Sequence, residues 1–370
     1  MLTILLCLLT GSTGILIGYY LLSGKLAYSG KGNLPDKTIP VSVIIRTKNN
    51  AGILRQTLPH ILSQKHPDFQ VVIINDASSD NTSEVIAHFE ASYPNIRVVH
   101  VINNEAFWGK KKYALTLGIK AARHPFMIFT EDRFVPASGY WLQEMSRHYH
   151  KNKNIVLGYA SLKRVKGSFS NAIIRYDNLV KAVKYLSFAK AGLPYTGSGR
   201  NMAYHKSVFY QVNGFISHMN MSNGEDELFI NEVATAENTA ICITPRAHTR
   251  SVSTTGFRTW VYRKREAFLV FRNFKLRDRL LSALLYLAKV MFWLLPVPIL
   301  ILAGTQSRQT AVLAAILLIK WVAQYISAVK ISGKLGEKDL LWLLPLYEAI
   351  LIIVQFYIFI TGFRTRTRWK

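Results

Sequence analysis

Residues 2–22, LTILLCLLTGSTGILIGYYLL, form an apolar run long enough to cross a bilayer as a helix. Three more apolar stretches lie at 280–303, 310–329 and 340–361, with short loops between them. Membrane-seeking residues therefore sit at both ends of the chain. The segment 38–275 between them has to build a domain around its own core. The first run lacks a basic n-region and exceeds a usual signal h-region, so 1–24 reads as a retained anchor. Lys25, Lys31 and Lys37 follow it and predict a cytoplasmic domain.

The C-terminal stretches, 280–361, are expected to be membrane helices, and 362–370 is a basic tail. If all four stretches cross, that tail ends outside, against the charge rule. The last stretch contains Pro345, Glu348 and Gln355, which predicts that part of it lies in the interface or re-enters. The net charge of +25 first suggests nucleic acid. Basic residues beside apolar spans suit anionic lipid better, and no base-reading motif is visible. Cys7 lies in the first span and Cys242 in an expected strand, so the two cysteines form no framework.

Between the spans the pattern alternates. Buried-strand runs at 39–47, 69–80, 95–103 and 125–132 are separated by helical spacing at 52–64, 82–94 and 109–122. This order means βαβ units and a mostly parallel sheet in an α/β domain. Polar residues cluster at the carboxyl ends of the strands: Thr47, Asn49, Asp76, Asp80, Glu131 and Asp132. That edge is where open α/β sheets bind ligands. No G-x-G-x-x-G or P-loop follows the first strand, so an ordinary dinucleotide or triphosphate fold is not expected.

Four segments, VSVIIRTKNN, VVIINDASSDNT, GSGRNMAYHKSVFYQVNGF and NGEDELFI, taken in that order resemble those of family 2 glycosyltransferases. VSVIIRTKNN resembles the opening strand, with Arg46 at a usual proline. VVIINDASSDNT resembles the V-D-D-G-S-T-D-G-T segment, with Asp76 at its second acid. GSGRNMAYHKSVFYQVNGF, 197–215, resembles an acceptor-side segment, and NGEDELFI, 223–230, the segment carrying the base. The resemblance covers about 40–275 and implies a GT-A (Rossmann-like) fold flanked by transmembrane helices. It implies an inverting enzyme in the bacterial inner membrane, facing the cytoplasm. A sugar would move from a nucleotide sugar, a UDP-sugar in particular, to a lipid-linked or cell-envelope glycan acceptor. Membrane lipid is the expected surrounding partner, and no nucleic acid is expected.

Such a transfer has to hold the nucleoside, meet the charge of the leaving diphosphate and deprotonate the acceptor hydroxyl. For the nucleoside the resemblance implies Asp76, with Thr47 and Asn49 in the same pocket and Lys110 near the donor; a turn role for Asp76 and a solvated helix face for Lys110 are the bland alternatives. Asp226 is implied as the base, with Glu225 beside it to raise its pKa; ordinary charge at a helix start is the alternative. Arg200 and Asn201 are candidates to contact sugar or phosphate on the acceptor side. Arg263 and Arg265, in a basic-aromatic stretch, are candidates to cover the diphosphate or to line an interfacial helix.

For the diphosphate the family uses a divalent metal on D-x-D. In PFMIFTEDRFVP, Glu131 takes the first acidic position, Asp132 the middle and Arg133 the second. Three accounts stand open. Glu131 and Asp132 hold Mg²⁺ or Mn²⁺, mainly through Asp132; or Arg133 meets the diphosphate itself; or Asp132 and Arg133 are a structural pair. A catalytically inactive sugar-nucleotide scaffold in the membrane is the competing functional reading, fed by Arg46, Arg133 and the absence of Q-x-x-R-W.

Overall fold

The computed structural model describes residues 1–28, 38–102, 110–150, 152–304 and 307–362. Two compact units emerge, one of Gly30–Trp260 and one of Met1–Ser29 with Val261–Lys370. The boundary falls inside a helix, Phe257–Phe271, earlier than the expected 275.

In the middle unit the alternating runs become β1 (Val41–Thr47), β2 (Phe69–Asp76), β3 (Ile96–Val101) and β4 (Phe126–Glu131). Helices Ala51–Leu62, Thr82–Ser92 and Lys110–Ala121 connect them. Further along come β5 (Phe134–Pro136), β6 (Ile155–Gly158), β7 (Ala160–Ser161), β8 (Met202–His205), β9 (Thr239–Cys242) and β10 (Thr249–Ser251). Seven strands form one sheet in the order β3-β2-β1-β4-β8-β6-β9, and β5, β10 and β7 form a small second sheet. The first four strands of the large sheet are parallel. Only β8 runs antiparallel to its neighbours β4 and β6.

The central strands are covered on both faces, as parallel strands must be. Val41, Val43 and Ile45 of β1 pack with Leu54, Leu58, Val71 and Ile73 in a buried cluster, while Ile44 and Ile74 face the helix Lys110–Ala121. That helix comes so close that a Cβ on Gly118 would lie 2.3 Å from Ile74 Cδ1, so a side chain there would push helix and sheet apart. Chain order runs from β1 outward to β3 on one side, and β4 lies on the other side of β1. The carboxyl ends of β1 and β4 thus form a topological switch point. Arg46 and Glu131 sit side by side there in register.

Among its described residues the second unit holds four helices long and apolar enough to cross a membrane: Leu2–Leu26, Leu276–Ala303, Arg308–Leu335 and Leu344–Gly362. Leu9, Leu16, Ala288, Phe292, Ile299 and Leu313 make its apolar core. Small polar residues join helices as well, with Ser23 and Ser327 hydroxyls 2.9 Å apart. The acid in the last stretch does not face lipid. Glu348 is buried and accepts from Lys320 Nζ at 2.8 Å and Gln324 Nε2 at 3.3 Å, with Lys289 Nζ 3.8 Å away. The helix is regular from Leu344 to Gly362, and its acid is balanced by lysines, so Glu348 gives no reason for re-entry.

Candidate active site

The polar strand ends gather at the carboxyl edge of β2, β1 and β4. Asp76 closes β2 and is buried; Arg46 Nε donates to its Oδ2 at 2.9 Å, and Nη2 donates to the same oxygen. Arg46 thus stands between the candidate nucleoside carboxylate and Glu131 on the next strand. Asn49 bridges two loops: its Oδ1 accepts from Ser79 N at 2.7 Å, and its own N–H donates to Ser78 Oγ at 3.1 Å. Asp80, one residue before the N-cap Asn81, accepts from Thr82 N at 3.0 Å, the first N–H of the following helix.

Thr47 turns to a different partner from the one expected. Its hydroxyl donates to Asp132 Oδ2 at 2.9 Å, and Asn50 Nδ2 donates to the same oxygen at 2.8 Å. The Asp132 side chain is only 8% exposed, and burial raises its pKa despite these two donors. It acts as an internal brace between the ends of β1 and β4. Glu131 points outward instead, with Arg200 Nε at 3.4 Å and Arg133 Nε at 3.7 Å.

A divalent cation does not fit this arrangement. Asp132 is buried with its Oδ2 taken by Thr47 and Asn50, Glu131 is flanked by two guanidinium groups, and the third position of the motif is itself cationic. Among the described residues no three His, Cys, Asp or Glu side chains converge on a metal position. The expectation of Asp132 as metal ligand is corrected on that geometry.

The second group of acids arrives from the start of the helix Glu227–Val233. Asp226 Oδ2 accepts from Gly199 N at 2.6 Å. Glu225 is buried and paired with Lys111, and Glu227 is paired with Lys181 at 2.8 Å. Burial first, then the Glu227 and Glu225 carboxylates, push Asp226 up to about 7, against the pull of Lys111 and the Gly199 N–H. Gly199 and Arg200 are consecutive residues, one on Asp226 and the other on Glu131. The two acidic groups therefore share one loop at one edge of the sheet.

Of the other expected residues, Asn201 is fully buried and serves the fold. Its Nδ2 donates to Tyr159 O and Ala247 O at 2.8 Å each, and its Oδ1 accepts from Trp141 Nε1 at 3.0 Å. Both amide hydrogens are used and the side chain is out of reach of solvent, so it does not meet an acceptor sugar, which corrects the expectation. Lys110 opens the helix Lys110–Ala121, and its side chain lies outside the described residues. Arg263 and Arg265 lie beyond Trp260, in the unit with the membrane-length helices; Arg265 Nη2 donates to Tyr357 Oη at 2.7 Å.

Two lysines were missed. Lys111 reaches Glu225, and its charge is felt by Glu131 and Asp226 as well. Lys112 is fully buried and donates to the carbonyls of His218, Met221 and Asn223 at 2.7, 2.6 and 2.9 Å. In GKKKYAL one more residue separates the glycine from Ala114 than in G-K-x-x-A-L. Counting back from Ala114–Leu115, rather than forward from Gly109, selects Lys111.

The family model described as Glycosyl transferase family 2 matches residues 42–212. A poly-β-1,6-N-acetyl-D-glucosamine synthase of Staphylococcus epidermidis is 28% identical over 179 residues, covering 46% of this chain and 41% of that protein. The glycosyltransferase GlyG of Streptococcus pneumoniae is 22% identical over 155 residues, 41% of this chain and 50% of that protein. The match thus spans half or less of these relatives' lengths. The solved mannosyltransferase PcManGT of Pyrobaculum calidifontis, in complex with GDP-Man and Mn²⁺, superposes with a TM-score of 0.58 at 17% identity, over 95% of this chain and 99% of that one. Residues 42–212 belong to glycosyltransferase family 2, and the domain built on them has the GT-A fold.

Proposed function

We propose that this chain is a membrane-bound glycosyltransferase that inverts the anomeric centre by a single displacement. The acceptor hydroxyl oxygen attacks the anomeric carbon, the bond to the donor diphosphate breaks, the nucleoside diphosphate leaves and the hydroxyl proton passes to Asp226. The observation that carries this reading is the continuity of the sheet edge. Asp76 is bonded to Arg46, Arg46 is in register with Glu131, Glu131 is paired with Arg200, and the preceding Gly199 is bonded to Asp226. A donor held by its nucleoside near Asp76 then presents its sugar toward Asp226.

The donor class is a nucleotide sugar, and the acceptor a lipid-linked or envelope glycan at the cytoplasmic membrane face. The name of the staphylococcal relative and the four membrane-length helices support that choice. No step of this proposal runs through a divalent metal, because the side chains at 131–133 do not fit one.

The test is transfer by the purified full chain from a panel of UDP- and GDP-sugars, beside Asp226→Asn. Losing the base should slow transfer by about 10²- to 10⁴-fold while nucleotide binding persists. Wild-type protein that binds donor yet neither transfers nor hydrolyses it would instead identify an inactive scaffold.

A further inference from the structure

The disagreement with a metal site has a positive side. Around Glu131 the outward groups are its own carboxylate and the guanidinium groups of Arg133 and Arg200, which leaves an excess of positive charge. Arg133 and Arg200 side chains are 32% and 28% exposed, so both can be reached from solvent without leaving their places. Arg133 Nε is a buried donor with no hydrogen bond; its carboxylate neighbours lie 3.7 and 3.9 Å away, beyond hydrogen-bond reach. Arg200 is held by its surroundings: its carbonyl accepts from Thr130 Oγ1 and Thr249 Oγ1 at 3.2 and 3.0 Å, and its guanidinium lies 5.4 Å over the Phe134 ring.

We propose that Arg133 and Arg200 form a metal-independent site for the diphosphate of the donor. Glu131 is the positioning residue that keeps both guanidinium groups facing the sheet edge while the site is empty. Guanidinium presents paired N–H donors that match phosphate oxygens, and fixed cations there stabilise the charge that grows on the leaving group. The identity of the anion as a nucleoside diphosphate rests on the proposed glycosyl transfer; the anion site itself does not.

The experiment is equilibrium binding of UDP, GDP and inorganic pyrophosphate to the full chain in detergent, with EDTA or with Mn²⁺. At least one of these anions should bind equally well, within a fewfold, in both conditions. Arg133→Ala should weaken that binding by about 10- to 100-fold with the melting temperature unchanged, and Arg133→Lys by less. Arg133→Asp should abolish binding in EDTA and recover it in Mn²⁺, having rebuilt an acidic pair with Glu131. Pyrophosphate that binds in EDTA through Arg133 while both nucleotides fail would uphold the anion site and remove the donor assignment. Wild-type binding that needs Mn²⁺, no binding of any of the three in EDTA, or an Arg133→Ala protein that binds as wild type would overturn the proposal.

Discussion

Gly199 donates its backbone N–H to Asp226 Oδ2 at 2.6 Å, and a Cβ built on Gly199 would lie 3.1 Å from that same oxygen. The glycine therefore does two jobs: it supplies a donor and leaves the carboxylate uncrowded. A single backbone N–H lowers the proton affinity of Asp226 less than burial and the two flanking glutamates raise it. The result is a carboxylate held in place but still basic enough to take a proton near neutrality.

Activity should rise with pH as Asp226 ionises. A base works only when deprotonated, and this one is pushed up to about 7. Below that value kcat/KM should fall by about tenfold per pH unit. The acid limb should vanish in Asp226→Asn, whose residual rate has no base to titrate. A wild-type profile that stays level from about pH 5 to 8 would contradict a base with this environment.

Lys111 should set where that limb falls. Its ammonium lowers the Asp226 pKa and pairs with Glu225. Lys111→Gln removes the cation and leaves Glu225 without its partner, so Asp226 becomes more basic and the limb moves to higher pH. Lys111→Arg should return it toward the wild-type position. An unmoved limb in the glutamine variant would mean that Lys111 and Asp226 are not electrostatically coupled.

The βαβ half of the domain was legible because its strands are strongly patterned and each spans several residues. The expected runs at 39–47 and 125–132 became Val41–Thr47 and Phe126–Glu131. The antiparallel strand Met202–His205 has four residues, too few for a period to show. At the site, Asp226 stood at a helix start as the motif implies. The roles of Arg46 and Asn201 were hidden, because strand register and the carbonyls that Asn201 meets are set by distant segments. Asp132 misled for the same reason: its partners are Thr47, at the end of a strand 85 positions away, and Asn50, at the start of the next helix 82 positions away.

Lys112 should give the profile an alkaline limb. Its ammonium has three hydrogens and meets three carbonyls of the loop 218–223, which leads into Glu225 and Asp226. Burial lowers its pKa to about 8. Above that the neutral amine keeps two hydrogens for three acceptors, the loop loosens and kcat should decline. Lys112→Met should lack that limb and react slowly at every pH. Leaving the carbonyls without donors should cost about 3 kcal/mol. Faster hydrogen exchange at 218–224 than in wild type would place the damage in the loop.

The buried pair of the membrane unit makes the last prediction. Lys320 is completely buried, donates to Glu348 Oε2 at 2.8 Å, and lies 3.5 Å from the Trp321 ring centre and 4.3 Å from that of Phe292. Lys320→Met strips Glu348 of its main partner and leaves Lys289, 3.8 Å away, as weaker compensation. An unbalanced acid among apolar helices should cost about 3–5 kcal/mol, visible as a lower melting temperature of the full chain in detergent. Pairing the change with Glu348→Gln removes the stranded charge and should recover much of the loss. If the single variant melts as wild type does, the pair does not hold these helices together, and Glu348 belongs in a wetter setting than the one it occupies here.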